Sequence, residues 1–224
     1  VAARLLDLPG ITHLAEMMNV PGVLGHDPSV QAKLDAAHRR GLPIDGHAPG
    51  LGGDAMRAYA AAGITTDHES LTFEEAREKL KAGIKLQVRY GSAARRFEPF
   101  LPLLPRFPEL CMLCSDDKHP DDLLRDHINF IAATAFRQGL ALQTILQAAC
   151  VNPVRHYRLP LGLLQPGDSA DFQIVDDLRT FQPREVWLHG QCVARGGVSL
   201  LPAGEARVEN NFAALPITAD ALRI

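Results

Sequence analysis

From Gly41 onward, short apolar runs alternate with segments whose apolar residues recur three and four apart, the pattern of strand followed by helix. "GLPIDGH" reads as a strand ending at His47, and "GDAMRAYAAAG" as a helix that Gly63 is placed to end. "ITTDHES" is a β-branched strand ending at His68. It leads into "TFEEAREKLKAG", where Thr72 and Glu75 have the spacing of a capping box and Gly83 follows the helix. "IKLQVRYGS" predicts a third strand and a mixed helix and loop to Pro108. "ELCMLCSDD" predicts a fourth strand, and "PDDLLRDHINFIAATAFRQG" the helix after it. Upstream, "PGITHLAEMMNVPGVLG" reads as one more strand end, with Glu16 and Asn19 where the chain turns. "SVQAKLDAAHRRG" carries Val30, Leu34 and Ala37 at helical spacing.

Strands that alternate with helices build a parallel sheet, and right-handed crossovers place every strand's C-terminal end on one side. His47, His68, Arg89 and Asp116 then converge although 21 residues or more separate each from the next. After "AACVNPVRHYRL" the texture changes. "GLLQPGDSADFQIVDD" and "REVWLHGQCVARGG" are short alternating strands joined by turn residues, as in a small β unit. The expected organisation is an α/β unit over 1–158, a small β-sandwich-like segment over 159–200 and an unassigned tail over 201–224.

The charge balance narrows the partners. With 23 basic and 26 acidic residues among 224, the net charge of −3 offers no footprint for nucleic acid. No apolar run approaches the roughly 20 residues of a membrane span. A soluble, cytoplasmic protein acting on a small molecule is expected, with self-association into a homo-oligomer left open. The C-x-x-C of Cys111 and Cys114 has no second pair to complete a zinc site, and a buried structural role is expected. A P-loop, a G-x-G-x-x-G after a strand and a G-x-S-x-G elbow are all absent from the sequence.

Parallel α/β folds carry their reactive groups at strand C-termini. That rule selects Glu16, His47, His68, Arg89, Asp116 and Asp117. Two imidazoles with two or three carboxylates form a mixed N/O set that suits zinc, manganese or iron. Adjacent carboxylates on an extended segment point in opposite directions, so only one of Asp116 and Asp117 can face the pocket, and Asp116 continues the strand face. Arg89 reads as an ion-pair partner or a substrate clamp. His119 precedes "PDD", a helix start, and is divided between pocket and capping roles.

The words "LAEMMNVPGVL", "DGHAPGLGG", "AAGITTDHES", "LCSDDKHPDDLL" and "QAACVNPVRHYRL" together resemble the adenine deaminase family of the amidohydrolase superfamily. "GLLQPGDSADFQIVDDL" with "VWLHGQCVARGG" is similar to the superfamily's small β domain. The resemblance runs in order from about Pro9 to Gly197. It implies the C-terminal part of a TIM-like (β/α)₈ barrel with a binuclear centre of Mn²⁺ or Fe²⁺, zinc being permitted, and hydrolytic deamination of adenine in purine salvage. It further implies Glu16 as the bridging ligand on the fourth strand, and His47 and His68 as ligands on the fifth and sixth. Asp116 on the eighth would be ligand and proton shuttle, and Arg89 and Ser92 would contact the purine.

The superfamily's H-x-H pair does not occur in these residues, and only some five strand ends precede the β unit, where a whole barrel needs about 250 residues. A fragment with little activity of its own is therefore expected. The competing readings are another amidohydrolase acting on a cyclic amide or aminopurine, and a non-catalytic remnant.

Overall fold

The computed structural model describes residues 1–204, 213 and 216–223. Five strands carry the first two thirds of the chain: β1 (Leu14–Met17), β2 (Ile44–Gly46), β3 (Thr66–Asp67), β4 (Lys85–Arg89) and β5 (Cys111–Cys114). β1 pairs parallel with β2, and β3, β4 and β5 form a second parallel ladder in sequence order. The Thr65 amide donates to the Ile44 carbonyl at 2.8 Å, so β2 and β3 are also neighbours. Every strand therefore delivers its C-terminal end to the same side, as the alternating pattern predicts.

The helices are α1 (Ala2–Leu5), α2 (Val20–Leu24), α3 (Pro28–His38), α4 (Gly53–Ala61), α5 (Phe73–Lys81), α6 (Pro120–Leu123), α7 (Ile128–Arg137), α8 (Leu142–Leu146) and α9 (Asn152–Tyr157). Local chemistry sets their ends. The Asp27 carboxylate accepts from the amides of Ser29 and Val30 at the start of α3, with Pro28 in the first turn. Val30, Leu34 and Ala37 are buried, and Gly41 follows at φ +63°. Thr72 caps α5 by accepting from the Glu75 amide at 3.2 Å. The return arm of the expected capping box is redirected: Glu75 accepts from Leu71 and Gly50 instead of the cap's own amide. None of the described helices is long and apolar enough to cross a membrane.

The single helix expected after β5 is two. The first ends at Leu123; Lys118 pairs with Asp126 in the connection, and the non-helical His127, whose amide donates to the Asn129 side chain, starts α7. A π-helical turn, Gln147–Val151, links α8 to α9. The buried Asn152 then donates to the carbonyls of Pro108 and Cys111, both at 2.7 Å, and fixes α9 to the entry of β5. That is the work of the asparagine in "AACVNPV".

Two apolar clusters back the strands. Val30, Leu34, Ile44, Met56 and Tyr59 pack behind β1 and β2, and Leu86, Val88, Leu113, Ile131 and Ile145 behind β4 and β5. Full burial of a leucine or isoleucine is worth about 1.5–3 kcal/mol, so both clusters hold the strand ends in fixed relation. Cys111 lies in the second cluster, and burial pushes the Cys111 and Cys114 thiols up to about 12, in keeping with inert structural cysteines. Beyond α9, β6 (Phe172–Val175), β7 (Pro183–Leu188), β8 (Gln191–Arg195) and β9 (Val198–Ser199) form an antiparallel four-stranded sheet. In the tail, a 3-10 turn covers Ala219–Leu222, and much of the unassigned stretch lies outside the described residues.

Candidate metal centre

Glu16 sits on β1, His47 follows β2 directly and His68 follows β3 directly. Their side chains meet. Glu16 Oε2 is 3.2 Å from His47 Nδ1 and 3.1 Å from His68 Nε2, and the two ring nitrogens are 3.2 Å apart. Donors each about 2.0–2.2 Å from a shared ion stand roughly 3.0–3.5 Å from one another. The triangle therefore fits a divalent cation, and hard carboxylate with borderline imidazole fits manganese, iron or zinc. Hydrogen bonding alone explains the triangle poorly, because three donor atoms turned toward one point leave at least one close pair without a well-aimed proton. His68 is shifted toward its neutral form, first because burial disfavours the imidazolium and against the opposing pull of Glu16. A neutral imidazole is the form that ligates.

Backbone geometry explains why these side chains arrive together. At Gly46 an added Cβ would stand 2.5 Å from the Thr66 carbonyl oxygen, so only glycine lets β2 approach β3 this closely just before His47. The buried Tyr59 hydroxyl donates to the Met17 carbonyl and accepts from the His47 amide at 3.3 Å, linking the strand of Glu16 to that of His47. Burial pushes the Tyr59 phenol up to about 12, which keeps it a donor across the working pH range.

A second group overlaps the first: His68, Glu69 and Asp116 also bring ligand atoms within 4.8 Å of one another. Arg89, the last residue of β4, lies between the two acids, its guanidinium 2.5 Å from Glu69 and in ion-pair contact with Asp116. Asp116 adopts a left-handed conformation, φ +56°, which an aspartate tolerates better than most residues and which turns its carboxylate back toward β4. The backbone carbonyl of Asp117 accepts from the Ser92 amide at 2.8 Å.

Ser92 and His119 stand apart from the imidazoles. The Ser92 hydroxyl donates to Asp122 at 2.6 Å and accepts from the His119 amide at 2.8 Å, tying the loops after β4 and β5 to each other. His119 is exposed at the start of α6 and makes no side-chain cap there. Beside His68, Glu69 and Arg89 opens a cleft of about 430 Å³ with Phe73 and Phe100 in its walls, within the size range of small-molecule sites.

Sequence reasoning passed over Glu69, Asp67, Tyr59 and Lys79. The first two flank His68 in "TDHES". Lys79 carried a signal that could have found it: it lies on the apolar stripe of α5, three residues after Ala76 and beside Leu80, where a charge is out of place unless paired.

The chain resembles known proteins at both levels. A protein named adenine deaminase from Salinibacter ruber is 46% identical over 222 residues, 99% of this chain and 41% of that protein. One from a Sulfurovum species is 47% identical over 93% of this chain and 39% of its own length. The chain thus spans about 40% of the length of these curated relatives. Among solved structures, a beta-aspartyl dipeptidase from Fervidobacterium islandicum superposes with a TM-score of 0.68 at 16% identity, covering 91% of this chain and 62% of that one. An N-acetyl-D-glucosamine-6-phosphate deacetylase from Mycobacterium smegmatis gives 0.55 at 19% identity, covering 74% and 52%. These two likenesses speak to the α/β fold alone. The amidohydrolase family profile matches residues 3–193, and the chain belongs to the amidohydrolase family.

Proposed function

We propose that this chain is the part of an adenine deaminase that binds metal and moves the proton, in an enzyme converting adenine and water to hypoxanthine and ammonia. The observation that carries the reading is the meeting of Glu16, His47 and His68 in a chain 46–47% identical to proteins of that name over nearly its whole length. On this reading β1 to β5 are the C-terminal part of a (β/α)₈ barrel, and β6 to β9 belong to the small β domain that follows. The enzyme works in the cytoplasm in purine salvage.

Glu16, His47 and His68 would hold the metal, with Asp116 contributing to a binuclear set of Mn²⁺ or Fe²⁺, zinc being the alternative. Bound there, the ions would supply Lewis-acid activation of water near neutral pH. The remaining work falls to side chains. Asp116 takes one proton from the attacking water and passes it to the purine ring, and the second proton of that water leaves with the amine as ammonia, so that a C6–O bond forms and the C6–N bond breaks. Arg89, clamped between Glu69 and Asp116, holds that carboxylate in direction. The cleft beside His68 takes the flat base between its aromatic walls, with Arg89 bordering it; Ser92 and His119 would meet the base from the loops after β4 and β5.

The test is turnover of adenine by the intact protein carrying these residues, with Mn²⁺ or Fe²⁺ added, followed as hypoxanthine and ammonia. Adenine is expected to be consumed in preference to guanine, cytosine and cyclic amides. Turnover of one of those with adenine inert would replace the substrate assignment.

A further inference from the structure

Lys79 is 1% exposed on α5, and Asp67, one residue before His68, is equally buried. The ammonium donates to three acceptors: the Ala48 carbonyl at 2.7 Å, Asp67 Oδ2 at 2.9 Å and Glu75 Oε1 at 2.6 Å. Two of the acceptors adjoin candidate ligands, and the third, Glu75, lies one turn back on α5 itself. Ala48 directly follows His47, and its amide donates to Asp67 Oδ1 at 2.9 Å. Asp67 Oδ2 also accepts from the Glu69 amide and the Ser70 hydroxyl. Glu75 accepts from Gly50 and Leu71, on the same two loops.

Packing α5 against the strands requires only apolar volume, which Ala76 and Leu80 already supply. Burying an ammonium with two carboxylates carries a large desolvation penalty, and a hydrophobic side chain of similar size would often serve stability as well. The location of the charges is what the penalty secures: they join the residue after one ligand to the residue before the other. Partners behind metal ligands fix ligand orientation in just this way.

We infer that Lys79, acting through Asp67 and the Ala48 carbonyl, is a positioning residue that sets the spacing of His47 and His68 for metal. The inference rests on the reading of Glu16, His47 and His68 as the ligand set. Lys79 touches neither substrate nor ion.

The experiment compares the intact wild-type protein with Lys79→Met and with the double variant Lys79→Met/Asp67→Asn, which removes the ammonium together with its most deeply buried carboxylate and so avoids stranding Asp67. Circular dichroism checks the fold, equilibrium dialysis gives Mn²⁺ affinity, and the visible spectrum of the Co²⁺-loaded protein reports ligand geometry. Affinity is expected to fall about 10- to 100-fold with an altered Co²⁺ spectrum. If Lys79→Met does not fold, the double variant gives the same reading. A folded variant with wild-type affinity and spectrum overturns the inference and leaves the ligand set standing. Wild-type protein that takes up no metal, or whose uptake survives His47→Ala and His68→Ala, overturns the ligand set and this inference with it.

Discussion

The Tyr59 hydroxyl accepts a hydrogen bond from the His47 amide at 3.3 Å and donates to the carbonyl of Met17, next to Glu16. One buried phenol on α4 thereby joins the backbones of two candidate ligands. Tyr59→Phe keeps the ring and its packing but removes the acceptor of the His47 amide and the donor to Met17. A loss of about 1–3 kcal/mol is expected from the stranded polar groups. Thermal melts of the intact protein measure it; an unchanged melting temperature would show that solvent replaces the hydroxyl at no penalty.

Gly46 is irreplaceable for a steric reason. A methyl group there meets the Thr66 carbonyl oxygen at 2.5 Å and the Ile64 side chain at 2.7 Å, and a backbone oxygen cannot rotate away. Gly46→Ala must push β2 and β3 apart, which is expected to cost about 1–3 kcal/mol, the range for overpacked interiors. It should also weaken Mn²⁺ binding, because His47 and His68 leave these same strands. Full retention of both stability and metal affinity would contradict the close approach.

How much of this was legible in the sequence differs by type of residue. His47, His68 and Asp116 could be placed at strand ends because the alternation of strand and helix fixes where such ends fall and on which side. Glu16 was legible as a strand end, although the structure sets it on β1 itself. The network of Lys79, Asp67 and Glu75 was not, since helix periodicity says that Lys79 faces inward but not which acceptors wait 12 and 31 residues away. The break between α6 and α7 was hidden for a related reason: "LLRDHIN" has helical composition, and the pairing of Asp126 in the connection with Lys118 depends on the loop after β5.

His156 predicts a pH dependence. Burial first, and then the Lys85 ammonium 2.9 Å from its Nδ1, press its pKa from 6.5 to about 4, with His13 and Arg158 adding to the effect and Asp45 opposing it. Above about 6.5 the ring is neutral in both folded and unfolded chains, and the stabilising difference is whole. As pH falls from 6.5 toward 4 the unfolded chain binds a proton that the folded chain refuses, so stability is lost across that window. Denaturant unfolding at pH 7, 6, 5 and 4 should show the decline, and His156→Gln should flatten it. An equal decline in that variant would assign the effect to other groups.

Arg89 offers the sharpest separation of chemistry from architecture. Its guanidinium reaches Glu69 with one nitrogen and Asp116 with another, a two-armed contact that a single ammonium cannot reproduce. Arg89→Lys keeps the charge and most of the stem but leaves Asp116, already in a left-handed backbone, free to turn. The candidate triangle of Glu16, His47 and His68 does not include Arg89 or Asp116, so the metal ion held by that triangle should be retained. If Asp116 moves the proton, kcat for adenine should fall on the order of 100-fold, the scale on which a misplaced catalytic group loses rate, while KM changes little. Metal analysis beside steady-state kinetics on the same preparation separates the outcomes. Wild-type kcat would remove Asp116 or its orientation from the proton transfer, and loss of metal would move Arg89 into the architecture of the centre.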